Sequence, residues 1–392
     1  MNSLRTVLDI WNGYVKWVVF GLENNRVVVL AKEMVKTRGM RKWKILDVED
    51  FAMCINELLQ SFAKKLWWDF IEEVVLGVSH PETDIKRVAE QKRVLSMEIG
   101  HDDIAHLSDV VAESAYRPNY EVIKIIPVVW LIDEETKSKD PIGMEAKKLE
   151  LIADVFMIPK NFYNNILDVF ARLDLQVTDI VPNILGAAEG VLDFDLKDLG
   201  SVLIDIGANQ TSYVIYEEWY PLFYGTIPVW WEEVTKDISI GLQVDIKEAE
   251  TVKREKWIIL SDNRTIEDEA IDIRFLSDIM IARYEEIFEL IQQDLIKRWK
   301  DWRLPWWVLL IGGASKVENL LWLAKDVFKL ASFVWEERNL DLWDLSHNQH
   351  FISLLWNYTW FQKYDMWRSK WFSFNLNFGL VSKVKDFFKQ LF

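Results

Sequence analysis

A single cysteine, Cys54, is all that 392 residues contain, so no internal disulfide can form and a reducing compartment suits the composition. Basic residues are also in deficit. Lys and Arg number 46 against 62 Asp and Glu, a net charge of −16, which argues against the basic face that nucleic-acid binding needs. No apolar run reaches the roughly 18 residues of a membrane span, and no signal peptide precedes Asp9, so a cytoplasmic body is expected. Glycine is scarce too. Ordinary usage of about 7% would place roughly 27 glycines in such a chain, and 15 are present beside 21 tryptophans. The rest is unremarkable: 50% hydrophobic and 28% charged residues suit a soluble protein with two or more domains and ample core.

The surplus tryptophans stand where glycine usually serves. Trp11 follows Asp9-Ile10 as Gly207 follows Asp205-Ile206. Trp219 lies between two expected strands, and Trp67-Trp68, Trp230-Trp231 and Trp306-Trp307 occupy turn-like junctions. Glycine is used at such points because it tolerates positive φ and carries no side chain, and tryptophan offers neither property. The pattern is the one expected of a gene in which UGA encodes glycine but is written as tryptophan. A naturally Trp-rich chain is the alternative, and UGG codons at Trp11, Trp230 and Trp231 would establish it.

Two stretches organise the chain. Gly200–Tyr216 reads as a strand, a tight polar turn from Asp205 to Gln210, and a second strand from Thr211. Thr6–Gly13 followed by Val15–Phe20 repeats the plan about 200 residues earlier. Such a hairpin turns its backbone N–H groups toward a phosphate, and small tip residues permit close approach. The acids Asp9 and Asp205, each ending a first strand, can hold the waters of a phosphate-bound Mg²⁺. Lys16 either reaches a phosphate or is an exposed strand lysine, since strand residues alternate faces.

With two such hairpins, each opening one half, the sequence resembles the actin-like ATPases. That resemblance implies an α/β, ribonuclease H-like fold with two related halves around a nucleotide cleft. More specific motifs are similar to the FtsA family of bacterial cell-division proteins: Asp140-Pro141-Ile142-Gly143-Met144 running on to Leu149-Glu150 at the end of an inserted segment; Ile227-Pro228-Val229-Trp230-Trp231 with Thr235 and Asp237-Ile238; Ala249-Glu250 with Lys253; and Leu309–Val317 around Gly312-Gly313. The resemblance implies ATP and Mg²⁺ as ligands, with Trp11 (a glycine in the family), Asn12, Gly13, Lys16, Gly207, Ala208, Asn209, Gln210, Thr211, Arg283, Glu286, Gly312, Gly313 and Ala314 around the nucleotide and Asp9 and Asp205 positioning metal and water. Ala208, Asn209 and Gln210 stand where the family usually has Gly-Gly-Thr, and Ser212 where it often has Asp, which implies slow hydrolysis at most.

The same resemblance divides the chain. Residues 1–79, 158–198 and 355–364 correspond to subdomain 1A, 80–157 to an inserted subdomain 1C, 199–235 with 304–354 to subdomain 2A, and 236–303 to subdomain 2B. A linker, 365–378, precedes a terminal helix, 379–392. There Leu380, Val381, Val384, Phe387, Phe388, Leu391 and Phe392 form an apolar stripe at helical spacing, with Lys383, Lys385 and Lys389 opposite. In an acidic protein this pattern suits an anionic membrane surface; packing on the body is the alternative. The family implies self-assembly into filaments, a contact with the C-terminal peptide of FtsZ, and a place on the cytoplasmic face of the membrane at the division site. A PilM-like pilus-assembly protein and a small-molecule kinase of the same superfamily are the rival expectations.

Overall fold

The computed structural model describes residues 5–10, 13–23, 26–66, 71–207, 210–227, 231–255, 259, 273–298, 307–335, 354 and 357. The chain divides into two compact units, Met1–Thr83 with Ile158–Trp360, and Asp84–Met157 with Phe361–Phe392.

The larger unit is built on two five-stranded sheets with the same plan. In the first, strands Arg5–Ile10, Tyr14–Glu23 and Arg26–Lys36 form an antiparallel meander. Glu73–Val78 then adds parallel to Arg5–Ile10, and Gln176–Pro182 adds parallel to Glu73–Val78. In the second, the meander is Ser201–Ile206, Thr211–Glu217 and Tyr220–Ile227, extended by parallel strands Trp307–Ile311 and Ala331–Val334. The strand order is third, second, first, then the two parallel strands in both sheets. The central strands read as apolar runs, Val74-Val75-Leu76 and Val202-Leu203-Ile204, because both faces are covered.

Helices make the parallel crossovers. Val48–Leu66 carries Phe51, Ile55, Leu58 and Phe62 at helical spacing, all buried. Asp47 caps it, its Oδ1 accepting from the N–H groups of Glu49 and Asp50 at 3.0 Å. In the sequence a helical period is clear from Ile279, through Phe288, Ile291 and Leu295; the helix Ile273–Arg298 begins six residues earlier and buries Leu276, Met280, Tyr284, Phe288, Ile291 and Leu295. The third strand, for which the sequence marks 26–33, continues to Lys36. Beyond it the basic stretch Lys36–Lys44, which reads in the sequence as a turn, contributes to a small hairpin, Met40–Arg41 with Lys44–Ile45. Gly39 permits it with φ +71, where a Cβ would come 2.4 Å from the Asp47 carbonyl oxygen.

The inserted unit is a four-stranded sheet in the order Asp84–Arg93, Lys148–Pro159, Tyr120–Ile132, Thr136–Ser138, with helix His101–Ser114. Ile104, Leu107 and Val111 of the helix and Leu149, Leu151, Ala153 and Val155 of the strand form its core. The Asp140–Glu150 motif thus runs through a loop into the strand that returns the chain to the larger unit. Among the described residues no helix is long and apolar enough to cross a membrane.

Candidate functional site

Both acids sit where their hairpins place them. Asp9 pairs in register with Lys16 across the first hairpin, and Asp205 with Ser212 across the second. Asp9 is fully buried and Lys16 is 8% exposed, its Nζ 3.7 Å from Asp9 Oδ2. Lys16 is therefore not an exposed strand lysine. Asp9 Oδ1 accepts a hydrogen bond from Asn183 Nδ2 at 2.8 Å. Asp205 keeps an opening at the surface although protein encloses it closely. Burial pushes its carboxyl up to about 6; Lys16 opposes the shift and Asp9 adds to it. Asp205 thus senses both charges of the other hairpin, so the two hairpins converge on one electrostatic site.

The second turn closes tightly, with the Gly207 N–H donating to the Gln210 carbonyl oxygen at 3.0 Å. Gln210 is buried and its Nε2 donates to Ser212 Oγ at 3.0 Å. Gln210 Oε1 and Thr211 Oγ1 are buried without a hydrogen-bond partner among the described residues. Unsatisfied buried polar atoms are costly, and here they follow directly on the turn that Gly207 and Gln210 close. Gly13 and Gly313 face open space, since a Cβ on either would meet nothing within 4 Å. Gly312 is constrained: its φ is +92, and a Cβ would lie 2.4 Å from Asp205 Oδ1. Only glycine lets this loop pass against the acid. Ala314 follows, its carbonyl accepting the Tyr284 hydroxyl at 2.5 Å, which ties the loop to helix Ile273–Arg298.

Arg283 and Glu286 lie on that helix. Arg283 Nη1 donates to Glu286 Oε2 at 2.6 Å and Nη2 to Asp237 Oδ2 at 2.5 Å. Beside this cluster is one that the site expectations omitted. Lys253, 1% exposed, donates to Thr235 Oγ1 at 2.6 Å and pairs with Glu250 Oε2 at 2.5 Å. Burial raises the Glu250 carboxyl, but hydrogen bonds from Lys253, Thr235 and Arg254 outweigh it and hold the group below its usual range. The Ala249-Glu250…Lys253 spacing was a signal for this cluster. Trp11, Asn12, Ala208, Asn209 and Trp230 lie outside the described residues, as do the linker 365–378 and the terminal stripe Leu380–Phe392.

Residues 202–345 match the family model described as cell division protein FtsA, and residues 80–157 match the SHS2 domain inserted in FtsA. Together the two models match more than half of the chain. This chain belongs to the FtsA family. The FtsA of Bacillus subtilis (strain 168) is 25% identical over 343 residues, covering 84% of this chain and 77% of that protein. In fold, the chain is similar to the PilM–PilN type IV pilus biogenesis complex, with TM-score 0.63, 15% identity, and coverage of 90% of this chain and 96% of that one. It is also similar to MreB5 of Spiroplasma citri bound to AMPPNP, with TM-score 0.50, 13% identity, and coverage of 92% and 96%. The architecture is therefore an actin-like ATPase fold carrying the FtsA-type SHS2 insertion.

Proposed function

We propose that this FtsA-family chain binds ATP with Mg²⁺ between its two related halves, assembles into filaments, and tethers FtsZ to the cytoplasmic face of the membrane at the division site. The observation that carries the nucleotide reading is the convergence of Asp9, Lys16 and Asp205 beside a turn holding unsatisfied Gln210 and Thr211 side-chain atoms. When bound, Mg²⁺ supplies positive charge against the phosphate oxygens. Asp9 and Asp205 hold its waters, and Lys16 balances the remaining negative charge. The Thr211 hydroxyl and the backbone of Gly207–Gln210 and Trp11–Gly13 donate to phosphate. Gly312, Gly313 and Ala314 pass beside the base, with Arg283 and Glu286 at the ribose side. Hydrolysis is slow at most, because Ala208, Asn209 and Gln210 replace the small residues of the family's turn and no evident base accompanies them.

The subdomain boundaries given above apply: 1A at 1–79, 158–198 and 355–364, 1C at 80–157, 2A at 199–235 and 304–354, and 2B at 236–303. The linker 365–378 and the helix 379–392 attach the body to anionic lipid. A helix of 14 residues is about 21 Å long and anchors reversibly by itself, so attachment strengthens as a filament adds tails at high effective concentration.

The deciding measurement is ATP affinity with and without Mg²⁺. Asp9→Ala and Asp205→Ala are each expected to abolish the Mg²⁺-dependent part, and unchanged affinity in both variants would overturn the cleft assignment. A kcat within the usual enzyme range of about 1–10³ s⁻¹ would contradict slow hydrolysis and favour a kinase. For the tail, Phe387→Glu with Phe388→Glu is expected to release the protein from anionic vesicles while ATP binding persists. Continued sedimentation with vesicles would show that the tail packs on the body.

A further inference from the structure

We propose that Asn183 and Asn357 are positioning residues that orient Asp9 for the hydrated cation; this rests on the ATP–Mg²⁺ reading above. Asn183 opens helix Asn183–Val191 directly after Pro182 and is 1% exposed. It donates to Asp9 Oδ1 at 2.8 Å and accepts from Asn357 Nδ2 at 2.6 Å, and Asn357 is fully buried. The direction of this chain of amides is set by chemistry. An ionised Asp9 only accepts, so Asn183 must present its NH₂ there, and its oxygen is left to receive the NH₂ of Asn357.

The backbone has been cleared for the pair. A Cβ at Gly77 would lie 2.2 Å from Asn357 Nδ2 and 2.3 Å from Asn183 Oδ1, and one at Gly186 would lie 2.2 Å from Asn357 Oδ1. Two buried amides with glycine on both sides are a costly way to fill space, because apolar residues would pack there without any polar atom to satisfy. Their effect is to pin one carboxylate oxygen with a neutral donor. The other oxygen is left toward Lys16, and the negative charge that a cation's waters need is retained.

The test measures, for the full chain, binding of a fluorescent ATP analogue as Mg²⁺ is titrated, with binding in EDTA and the melting temperature recorded alongside. Asn183→Leu is expected to raise the Mg²⁺ concentration at half-saturation by about tenfold or more, the scale of one hydrogen bond to a charged group. Asn357→Leu shifts it less, in the same direction, and EDTA affinity is unchanged in both. A lower melting temperature with parental Mg²⁺ dependence in both variants would make the pair merely structural and overturn the proposal. If the parent binds no ATP at all, the nucleotide reading falls first and this role with it. Should Asn183→Leu fail to fold, Asn357→Leu, one residue further from the acid, carries the same comparison.

A separate observation bears on the tryptophans. We infer that Trp43 and Trp219 stand at positions where the native protein has glycine. Arg41 pairs with Lys44 and Glu217 with Tyr220, so each hairpin turns through two residues. Lys42 and Trp43 have φ +48 and +61, and Glu218 and Trp219 have φ +46 and +73. Paired positive φ values define the turn whose second position glycine dominates. Every other non-glycine residue with positive φ among those described is polar: Lys, Asn, Asp, Glu or Gln. An indole in this region is an outlier for a bulky residue. Trp17 and Trp130 differ: both are buried core side chains inside strands, Trp17 edge-on to Phe62, and the inference does not extend to them.

The same codon would then account for Trp11, Trp230 and Trp231, which stand where the FtsA family has glycine. Peptide mass spectrometry of the protein isolated from its own cells is expected to read glycine at 43 and 219, from UGA codons. Tryptophan at either position, or UGG codons, would overturn the inference. As a second measurement, Trp11→Gly with Trp230→Gly and Trp231→Gly is expected to bind the ATP analogue more tightly than the chain as written. Unchanged or weaker binding would count against glycine at the phosphate turns.

Discussion

Asp205→Asn protein is expected to lose Mg²⁺-dependent ATP binding and yet, without nucleotide, to resist urea better than the parent at pH 8. Burial, with Asp9 adding, raises the Asp205 carboxyl to about 6 despite Lys16. Its unfolded value is the ordinary one near 4. The folded state therefore keeps this proton to a higher pH than the unfolded chain does. Between about pH 4 and 6 the folded state holds more protons, so stability falls as pH rises, and above about 6 the whole loss is present. A shift of about two units corresponds to roughly 3 kcal/mol, and the opening at the Asp205 surface reduces it to about 2.

Asparagine keeps the size of the side chain and removes the charge. The variant should gain about 2 kcal/mol over the parent at pH 8 and almost nothing at pH 4, where Asp205 is already protonated. Saturating ATP–Mg²⁺ reverses the order, because only the parent is stabilised by mass action, by about 2.7 kcal/mol at a hundredfold excess over Kd. Urea unfolding at the two pH values, with and without nucleotide, checks both statements. A gap between variant and parent that does not widen with pH would show that Asp205 carries no such strain. A gap that widens as expected would show stability given up to keep a charged, largely enclosed carboxylate at this position.

How much of this was legible in the sequence differs from element to element. The two hairpins could be read because a short apolar strand, a terminal acid and a polar turn are all local, and their repetition pointed to two related halves; the strand order of the sheets was not legible. Gly312 was legible as part of a glycine pair after a buried strand, but its necessity was not: the atom it must avoid belongs to Asp205, more than a hundred residues away. Asn183 and Asn357 lie 174 residues apart, as do Asn183 and Asp9. No spacing rule links such residues, and asparagine alone points to turns and caps. The strand Asp84–Arg93 was hidden for the opposite reason. It lies at the end of its sheet and buries only Val88, so the alternation that marks a half-buried strand is nearly absent. The early start of helix Ile273–Arg298 reflects Leu276 and Met280 packing into the core of the second half, where burial extends a helix beyond its local signal.

That polar edge strand carries the second large effect. Arg87→Leu is expected to destabilise the inserted unit by about 2–3 kcal/mol, whereas Arg87→Leu combined with Asp154→Leu should return to within about 1 kcal/mol of the parent. Arg87 grips Asp154 with two hydrogen bonds, Nε to Oδ1 at 2.8 Å and Nη2 to Oδ2 at 2.7 Å. Asp154 is 3% exposed on the neighbouring strand, and its residues pair in register with those of Arg87. Burial pushes the Asp154 carboxyl above its usual range even though Arg87 pulls it down. The attraction of the pair therefore does not fully offset the loss of water around the acid. Removing the arginine alone strands a dry carboxylate, which costs more than the pair contributed; removing both leaves apolar side chains on the strand face that also carries Ile152 and Phe156. The ion pair is then not what holds the sheet together. Its use is that it keeps a charge on an outer strand, where charged side chains discourage pairing with the edge of another molecule. Hydrogen exchange across 84–157 reads the stability of this unit within the intact chain, and sedimentation reads self-association. The double variant is expected to exchange like the parent but to associate more. A double variant as unstable as Arg87→Leu would show instead that the ion pair itself stabilises the fold.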